Sequence, residues 1–136
     1  TKSISTLLAY QFGLQGPAID VHSACSTSSS ALINACNALR LHQCDYAVAG
    51  GANVDSPQEI GYLYEKDSIF SNDGHCRTFD IKASGSVLSN GAGIIILKRL
   101  KDAIADRNNI QAIILGYASN NDGNQKTGFL APGING

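Results

Sequence analysis

Proline is scarce in this chain, three residues in 136 against fourteen glycines. That ratio excludes a disordered linker and points to tight turns and close backbone packing. Charge is scarce too: 15% of residues are charged, ten basic against eleven acidic, for a net charge of −1. With no basic tract and no Lys/Arg pattern interleaved with aromatics, nucleic acid is excluded as an expected partner. No apolar run approaches the roughly 20 residues that cross a bilayer, and no secretory signal pattern opens the chain. A cytoplasmic protein with no membrane partner is the expectation. Cys25, Cys36, Cys44 and Cys76 contain no C-x-x-C pair, which argues against a disulfide framework. His22, His42 and His75 do not fall in ligand spacing with them, so no metal is expected.

What is present is the composition of one small globular domain, 43% hydrophobic. Thr1 opens the chain, and Gly136 follows closely on a loop-like Ala131-Pro132-Gly133. Neither end resembles a finished terminus, so an internal piece of a longer protein is expected.

Ile4, Leu7, Leu8 and Phe12, with Tyr10 alongside, carry the spacing of an amphipathic helix over Ser3 to Phe12. Gly13 closes it, and Gly16-Pro17 turns the chain into a strand from Pro17 to Val21. Ser26 to His42 reads as a second helix, apolar nearly all round and so enclosed by neighbours. Its opening serines and Thr27 are expected to cap it, Asn34, Asn37 and Arg40 need polar partners or an exposed sector, and Cys36 reads as a small core residue.

Asp45 to Ala52 reads as a short buried strand whose Gly50-Gly51 pair lets another backbone approach. Residues 53–79 read as loop and short helix, with a helix start at Ser56-Pro57-Gln58-Glu59. Glycines between Gly85 and Gly93 precede the aliphatic run Ile94 to Leu97, a strand expected to be buried on both faces. No Gly-Lys-Ser/Thr follows, so these glycines form a turn rather than a phosphate loop. A short helix over Lys101 to Arg107, with Ala103 and Ile104 inward, and a strand over Ile110 to Ala118 complete an α/β pattern. The polar turn from Ser119 to Gly123 then lies at the sheet edge, where α/β sites often lie.

The stretch from Val21 to Ser30 carries the chemistry. An apolar approach runs into Cys25, hydroxyl residues follow, and a helix begins there. A helix N-terminus favours a thiolate over a thiol, and the N–H groups of Cys25 and its neighbours are placed to face an oxyanion. That combination suits acyl transfer through a thioester. The stretch has no glycine, so the Gly-x-Ser-x-Gly elbow of hydrolases is absent. On residues alone, a small buried cysteine remains the alternative. Tyr62, Tyr64 and Phe70 read as packing more readily than as crevice walls, and adjacent His75 and Cys76 on an extended segment point opposite ways.

Val21-His22-Ser23-Ala24-Cys25-Ser26-Thr27-Ser28 closely resembles the active-site segment of β-ketoacyl synthases, the condensing domains of modular polyketide and fatty-acid synthases. Cys44 to Gly51 resembles the family's C-D-x-A-x-A-G-G, and Phe70 to Asp80 its S-x-D-G-x-C-x-x-F-D. Gly91 to Leu100 is similar to its G-x-G strand ending L-K-R-L. Asn120-Asn121-Asp122-Gly123, Lys126, Gly128-Phe129 and Ala131-Pro132 are similar to its N-N-D-G-x-x-K-x-G-[FY]-x-A-P stretch. The likeness runs in order along essentially the whole chain.

The resemblance implies a thiolase-like layered α/β/α/β/α fold, incomplete in this fragment, and usually a homodimer. Cys25 would accept an acyl chain from the phosphopantetheine arm of an acyl carrier protein, with no cofactor bound directly and neighbouring synthase domains as further partners. A malonyl-type extender would then lose CO2 and its enolate attack the Cys25 thioester, the Cys25 N–H helping to hold the oxyanion. A non-condensing domain that only holds or transfers the acyl chain is the alternative, and an interaction-only scaffold a third class.

His22-Ser23 stands where the family often has Asp-Thr, and Ala83 to Gly91 departs from A-D-G-[FY]-V-x-G-E-G. Both resemble the variant of mixed peptide–polyketide assembly lines. The family does not use the His22 position for catalysis. Its two catalytic histidines and a nearby lysine come later than the Ala-Pro segment. Residues 1–136 are therefore expected to be a partial ketosynthase domain, inactive alone, and no decarboxylation residue is assigned.

Overall fold

A computed structural model describes residues 3–57, 60–126, 128, 131 and 133. The helices are α1 (Ile4–Phe12), α2 (Thr27–Arg40) and α3 (Leu100–Ala105), the strands β1 (Tyr46–Asn53) and β2 (Gly91–Lys98), and a 3-10 turn, Ala24–Ser26, precedes α2. The chain divides into two units, Thr1–Gly51 with Ile94–Gly136, and Ala52–Gly93.

In the first unit, α1 begins where Ser3 Oγ accepts from the Thr6 N–H, and ends at Gly13 in the left-handed conformation, φ 65°. The Ser5 N–H donates to Asp20 Oδ1 at 2.9 Å, and this bond, with the Ser3 and Ser5 hydroxyls, lowers the Asp20 pKa. The expected apolar stripe is present but uncovered, for Ile4, Leu7 and Phe12 are all exposed.

Helix α2 buries Leu39 alone among its residues, and its remaining apolar positions are half-buried rather than enclosed. Its polar sector finds partners as expected. Asn34 Nδ2 donates to Ser30 O, the Tyr117 hydroxyl donates to Asn37 Oδ1 at 2.8 Å, and Arg40 donates to that same hydroxyl.

β1 and β2 pair in a two-stranded sheet. Lys98 Nζ, at the end of β2, donates to Tyr46 Oη at the start of β1. Asn53, at the end of β1, donates to Ser89 O just before β2. Opposite ends meet, so the strands run antiparallel. Arg99 joins the layers: its guanidinium donates to Leu39 O at 3.1 Å and Cys44 O at 2.8 Å, and pairs with Asp45 and Asp102. One planar fork thus satisfies a carbonyl at the α2 C-terminus and ties β1 and α3 to it.

Several sequence expectations need correction. Ile94, Ile95 and Ile96 of β2 are 61%, 48% and 72% exposed, not buried on both faces. Ile104 is exposed, because its neighbour Ala103 takes the inward position of a six-residue helix and adjacent helical residues point about 100° apart. Pro17–Val21 and Ile110–Ala118 form no strand. A strand exists through its ladder, and among the described residues neither segment has a ladder partner. No helix forms among the described residues of 53–79; Gln58 and Glu59 lie outside them.

The second unit is organised by a crossing of two segments. The Ser71 N–H donates to Ser86 O at 2.8 Å and the Ser86 N–H to Ile69 O at 2.9 Å, around an isolated parallel bridge between Phe70 and Ser86. Gly85, at φ +140°, makes the crossing possible: a Cβ there would sit 2.5 Å from the Phe70 carbonyl carbon. The turn expected over Gly85 to Gly93 is corrected: only Gly85 is packed, at the crossing, while Gly91 and Gly93 belong to β2 and a Cβ at either would meet nothing within 4 Å. Tyr62 and Phe70 stack with ring centroids 4.7 Å apart, so these aromatics pack on each other.

Candidate active site

Cys25 occupies the middle of the 3-10 turn, two residues before α2 begins, and is exposed. The turn is sharp enough to place Ala24 at φ 49°, a left-handed conformation that costs a residue with a Cβ about 1–2 kcal/mol. Something must hold it there.

Hydroxyls do. Thr27 Oγ1 accepts from the Ser23 N–H at 3.0 Å and donates to Ala24 O at 2.8 Å. Ser26 Oγ donates to Ser23 O at 2.9 Å and to Ser23 Oγ at 3.1 Å. Ser23 Oγ in turn donates to Ser30 Oγ at 2.9 Å. The expectation that these side chains cap α2 is corrected: Ser26 at the N-cap makes no side-chain cap bond, and the hydroxyls tie the turn to itself. The signal was available in the sequence, because Ser23, Ser26, Thr27 and Ser30 follow the i, i+3, i+4, i+7 spacing of one helical face.

The backbone donors divide in the same way. The Ser26 N–H bonds to Ser23 O, and the Thr27 N–H to Ala24 O, so the two donors that follow Cys25 are engaged within the turn. Among the described residues, the Cys25 N–H has no protein acceptor. Of the donors flanking the cysteine, those of Ser26 and Thr27 are thus taken while the Ala24 and Cys25 N–H groups stay open among the described residues.

Gly51 sits under the start of α2. A Cβ there would lie 3.2 Å from Ser28 Cβ, so the glycine of β1 sets how closely the helix, and the turn ahead of it, approaches the sheet.

The other candidates sit apart from this chemistry. His22 is exposed, and among the described residues no hydrogen bond or ion pair joins it to Cys25. Cys36 is half-buried, and burial raises its thiol pKa. His75 Nδ1 lies 2.9 Å from Asp73 O, and Cys76 is exposed with Thr78 as its hydroxyl neighbour. Among the described residues no three His, Cys, Asp or Glu side chains gather as a metal site. No helix among them is long and apolar enough to cross a membrane. In the polar turn, the Gly123 N–H donates to Asn121 Oδ1, and the Gly133 N–H to Asp122 Oδ2. Phe129 and Pro132 of the motif that follows lie outside the described residues.

A family model described as "Beta-ketoacyl synthase, N-terminal domain" matches residues 1–103. The chain belongs to the β-ketoacyl synthase family. It is 43% identical over 129 residues to one of the subunits of the phenolphthiocerol/phthiocerol polyketide synthase of Mycobacterium tuberculosis, covering 95% of this chain and 9% of that protein. It is 42% identical over 133 residues to the hybrid PKS-NRPS synthetase TAS1 of Gloeophyllum trabeum, covering 97% and 8%. Near-equal identity to a synthase named as a hybrid and to one that is not means that overall likeness does not separate the two types.

Among solved structures, ketosynthase twelve from the bacillaene polyketide synthase of Bacillus amyloliquefaciens superposes with a TM-score of 0.90 at 38% identity, over 98% of this chain and 24% of that one. The fold is thus the α/β, thiolase-like layered fold of ketosynthases, and the chain spans a quarter or less of each of these relatives.

Proposed function

We propose that Cys25 is the acyl-accepting nucleophile of a condensing domain in a polyketide synthase, and that residues 1–136 supply its nucleophile segment and adjoining core. The observation that carries this is the pairing, in one turn, of an exposed Cys25 with its own unengaged N–H. The Cys25 sulfur attacks the thioester carbonyl of an acyl chain carried on the phosphopantetheine arm of an acyl carrier protein. The Cys25 N–H meets the oxygen that becomes negative, the tetrahedral species collapses, and the phosphopantetheine sulfur leaves and takes up a proton. A malonyl-type extender then loses CO2, and its enolate carbon displaces the Cys25 sulfur to give the β-ketoacyl product.

His22, His42 and His75 do not occupy the motifs of the family's catalytic histidines, so no residue of 1–136 is assigned to the decarboxylation. The acyl carrier protein, a second copy of the domain and the neighbouring synthase domains are the partners of this reading.

In the full-length domain, Cys25→Ala abolishes transfer of a labelled acyl group from an acyl-carrier thioester, while Cys36→Ala leaves it within about twofold. Equal loss in both variants contradicts the assignment. A loaded domain that releases no CO2 from malonyl-loaded carrier contradicts the condensing step and leaves acyl holding alone.

A further inference from the structure

We infer that Thr27 is a positioning residue for the nucleophile, the keystone of a hydroxyl clasp with Ser23, Ser26 and Ser30 that fixes the Cys25 turn. The inference takes Cys25 as the reactive residue and adds what holds it in place.

Thr27 Oγ1 spans the turn, accepting from the Ser23 N–H on its entry side and donating to Ala24 O next to the cysteine. Those two bonds enclose the peptide planes on the N-terminal side of Cys25, including Ala24 at its left-handed φ of 49°. Ser26 Oγ adds bonds to Ser23 O and Ser23 Oγ, and Ser30 Oγ receives the Ser23 hydroxyl from one helical turn further on. The clasp is therefore anchored in α2 and closes over the residues ahead of it. It engages the carbonyls of Ser23 and Ala24 while the N–H of Cys25 keeps no protein partner among the described residues. Fixing the peptide planes ahead of Cys25 while leaving the Cys25 donor open is what a preorganised oxyanion donor requires, because a donor that must first reorient stabilises the transition state less. Helix capping alone does not account for the pattern, since no side chain caps α2 at Ser26.

The test uses the full-length domain with Thr27→Val, which keeps shape and removes the hydroxyl, and Thr27→Ser, which keeps the hydroxyl. Acyl loading of Cys25 from an acyl-carrier thioester is measured with thermal melting as control. T27V lowers the maximal loading rate tenfold or more with little change in the half-saturating thioester concentration, and T27S restores the rate to within about threefold. A T27V protein that loads at the parent rate overturns the inference, as does a T27S protein that melts like the parent yet is no faster than T27V. Should T27V fail to fold, Ser26→Ala reads the same clasp: a loading rate lowered threefold or more supports it, and an unchanged rate overturns it. If the parent domain itself loads no acyl group, the proposed function fails rather than the clasp. Iodoacetamide alkylation of Cys25 then decides, with T27V departing threefold or more from the parent and T27S returning to it, or the clasp failing because all three react alike.

Discussion

Two turns in this molecule are built from the same materials and finished differently. Around Cys25, hydroxyls of Ser23, Ser26, Thr27 and Ser30 hold an exposed turn and leave the cysteine N–H without a protein partner among the described residues. Around Ser71, a hydroxyl also organises the backbone, donating to Asp73 Oδ1, lying 3.1 Å from Ser84 Oγ and accepting from the His75 N–H. There the residue is 1% exposed, its N–H and C=O are both taken, and Asp73 is further paired with Arg77. The second turn is saturated, as a purely structural polar cluster should be. The first leaves open the Cys25 N–H, the donor that the proposed acyl transfer would use. The difference between them separates a turn with its polar groups engaged from one that keeps a donor free for the proposed reaction.

The largest way to break this contrast is at Gly85. A Cβ there would overlap the Phe70 carbonyl carbon at a backbone conformation that side chains rarely adopt. Gly85→Ala should cost the second unit about 3 kcal/mol or more, read as loss of soluble yield or a fall in melting temperature of the full-length domain. A melt equal to the parent's would show that the crossing is not the structural turn described. Gly51→Ala acts on the other side of the comparison. Its Cβ would press Ser28 Cβ at 3.2 Å, a small overpacking of about 1 kcal/mol, yet it pushes on the helix start beside Cys25. Acyl loading should slow several-fold while the melting temperature moves by only a few degrees. Loss of stability without loss of rate would place Gly51 with the structural turn.

The smallest effect concerns pH. The Asp73 carboxyl is held below the ordinary aspartate range first by the Ser71 hydroxyl, with the His75 N–H and Arg77 adding to it. A depressed folded pKa contributes stability above the unfolded value and loses it as pH falls through the folded one, so the window lies below about pH 4. Asp73→Asn should flatten the acid limb of a plot of melting temperature against pH and leave acyl loading at neutral pH unchanged. Asp73 is exposed to solvent screening, so the change should be modest. A steeper acid limb in the variant would reverse the sign of this argument.

The elements whose signal lies within their own residues were legible in the sequence. The i, i+3, i+4 stripe and Gly13 mark α1, the apolar run after the hydroxyl block marks α2, and the aliphatic blocks before Gly50-Gly51 and Lys98-Arg99 mark β1 and β2. The rest depends on partners. Pro17–Val21 and Ile110–Ala118 carry strand composition without a ladder among the described residues, because a ladder needs a neighbour that composition does not name. The exposure of Ile94–Ile96 has the same origin: an aliphatic run states a preference for cover, not which element supplies it. At the site, Cys25 and its sharp turn were legible, and so was a close approach at Gly51, though not its partner Ser28. Serine and threonine serve both as helix caps and as turn clasps: the spacing of Ser23, Ser26, Thr27 and Ser30 puts them on one face, and the geometry of the turn shows which use is made of them.

The central claim is that Cys25 carries the acyl group, and it is most directly tested by incubating the full-length domain with an acyl-loaded carrier protein and mapping the added mass by peptide. The acyl group should appear on the peptide containing Cys25 and be absent from those containing Cys36, Cys44 and Cys76. An acyl group found on another cysteine, with Cys25 unmodified in folded protein, would contradict it.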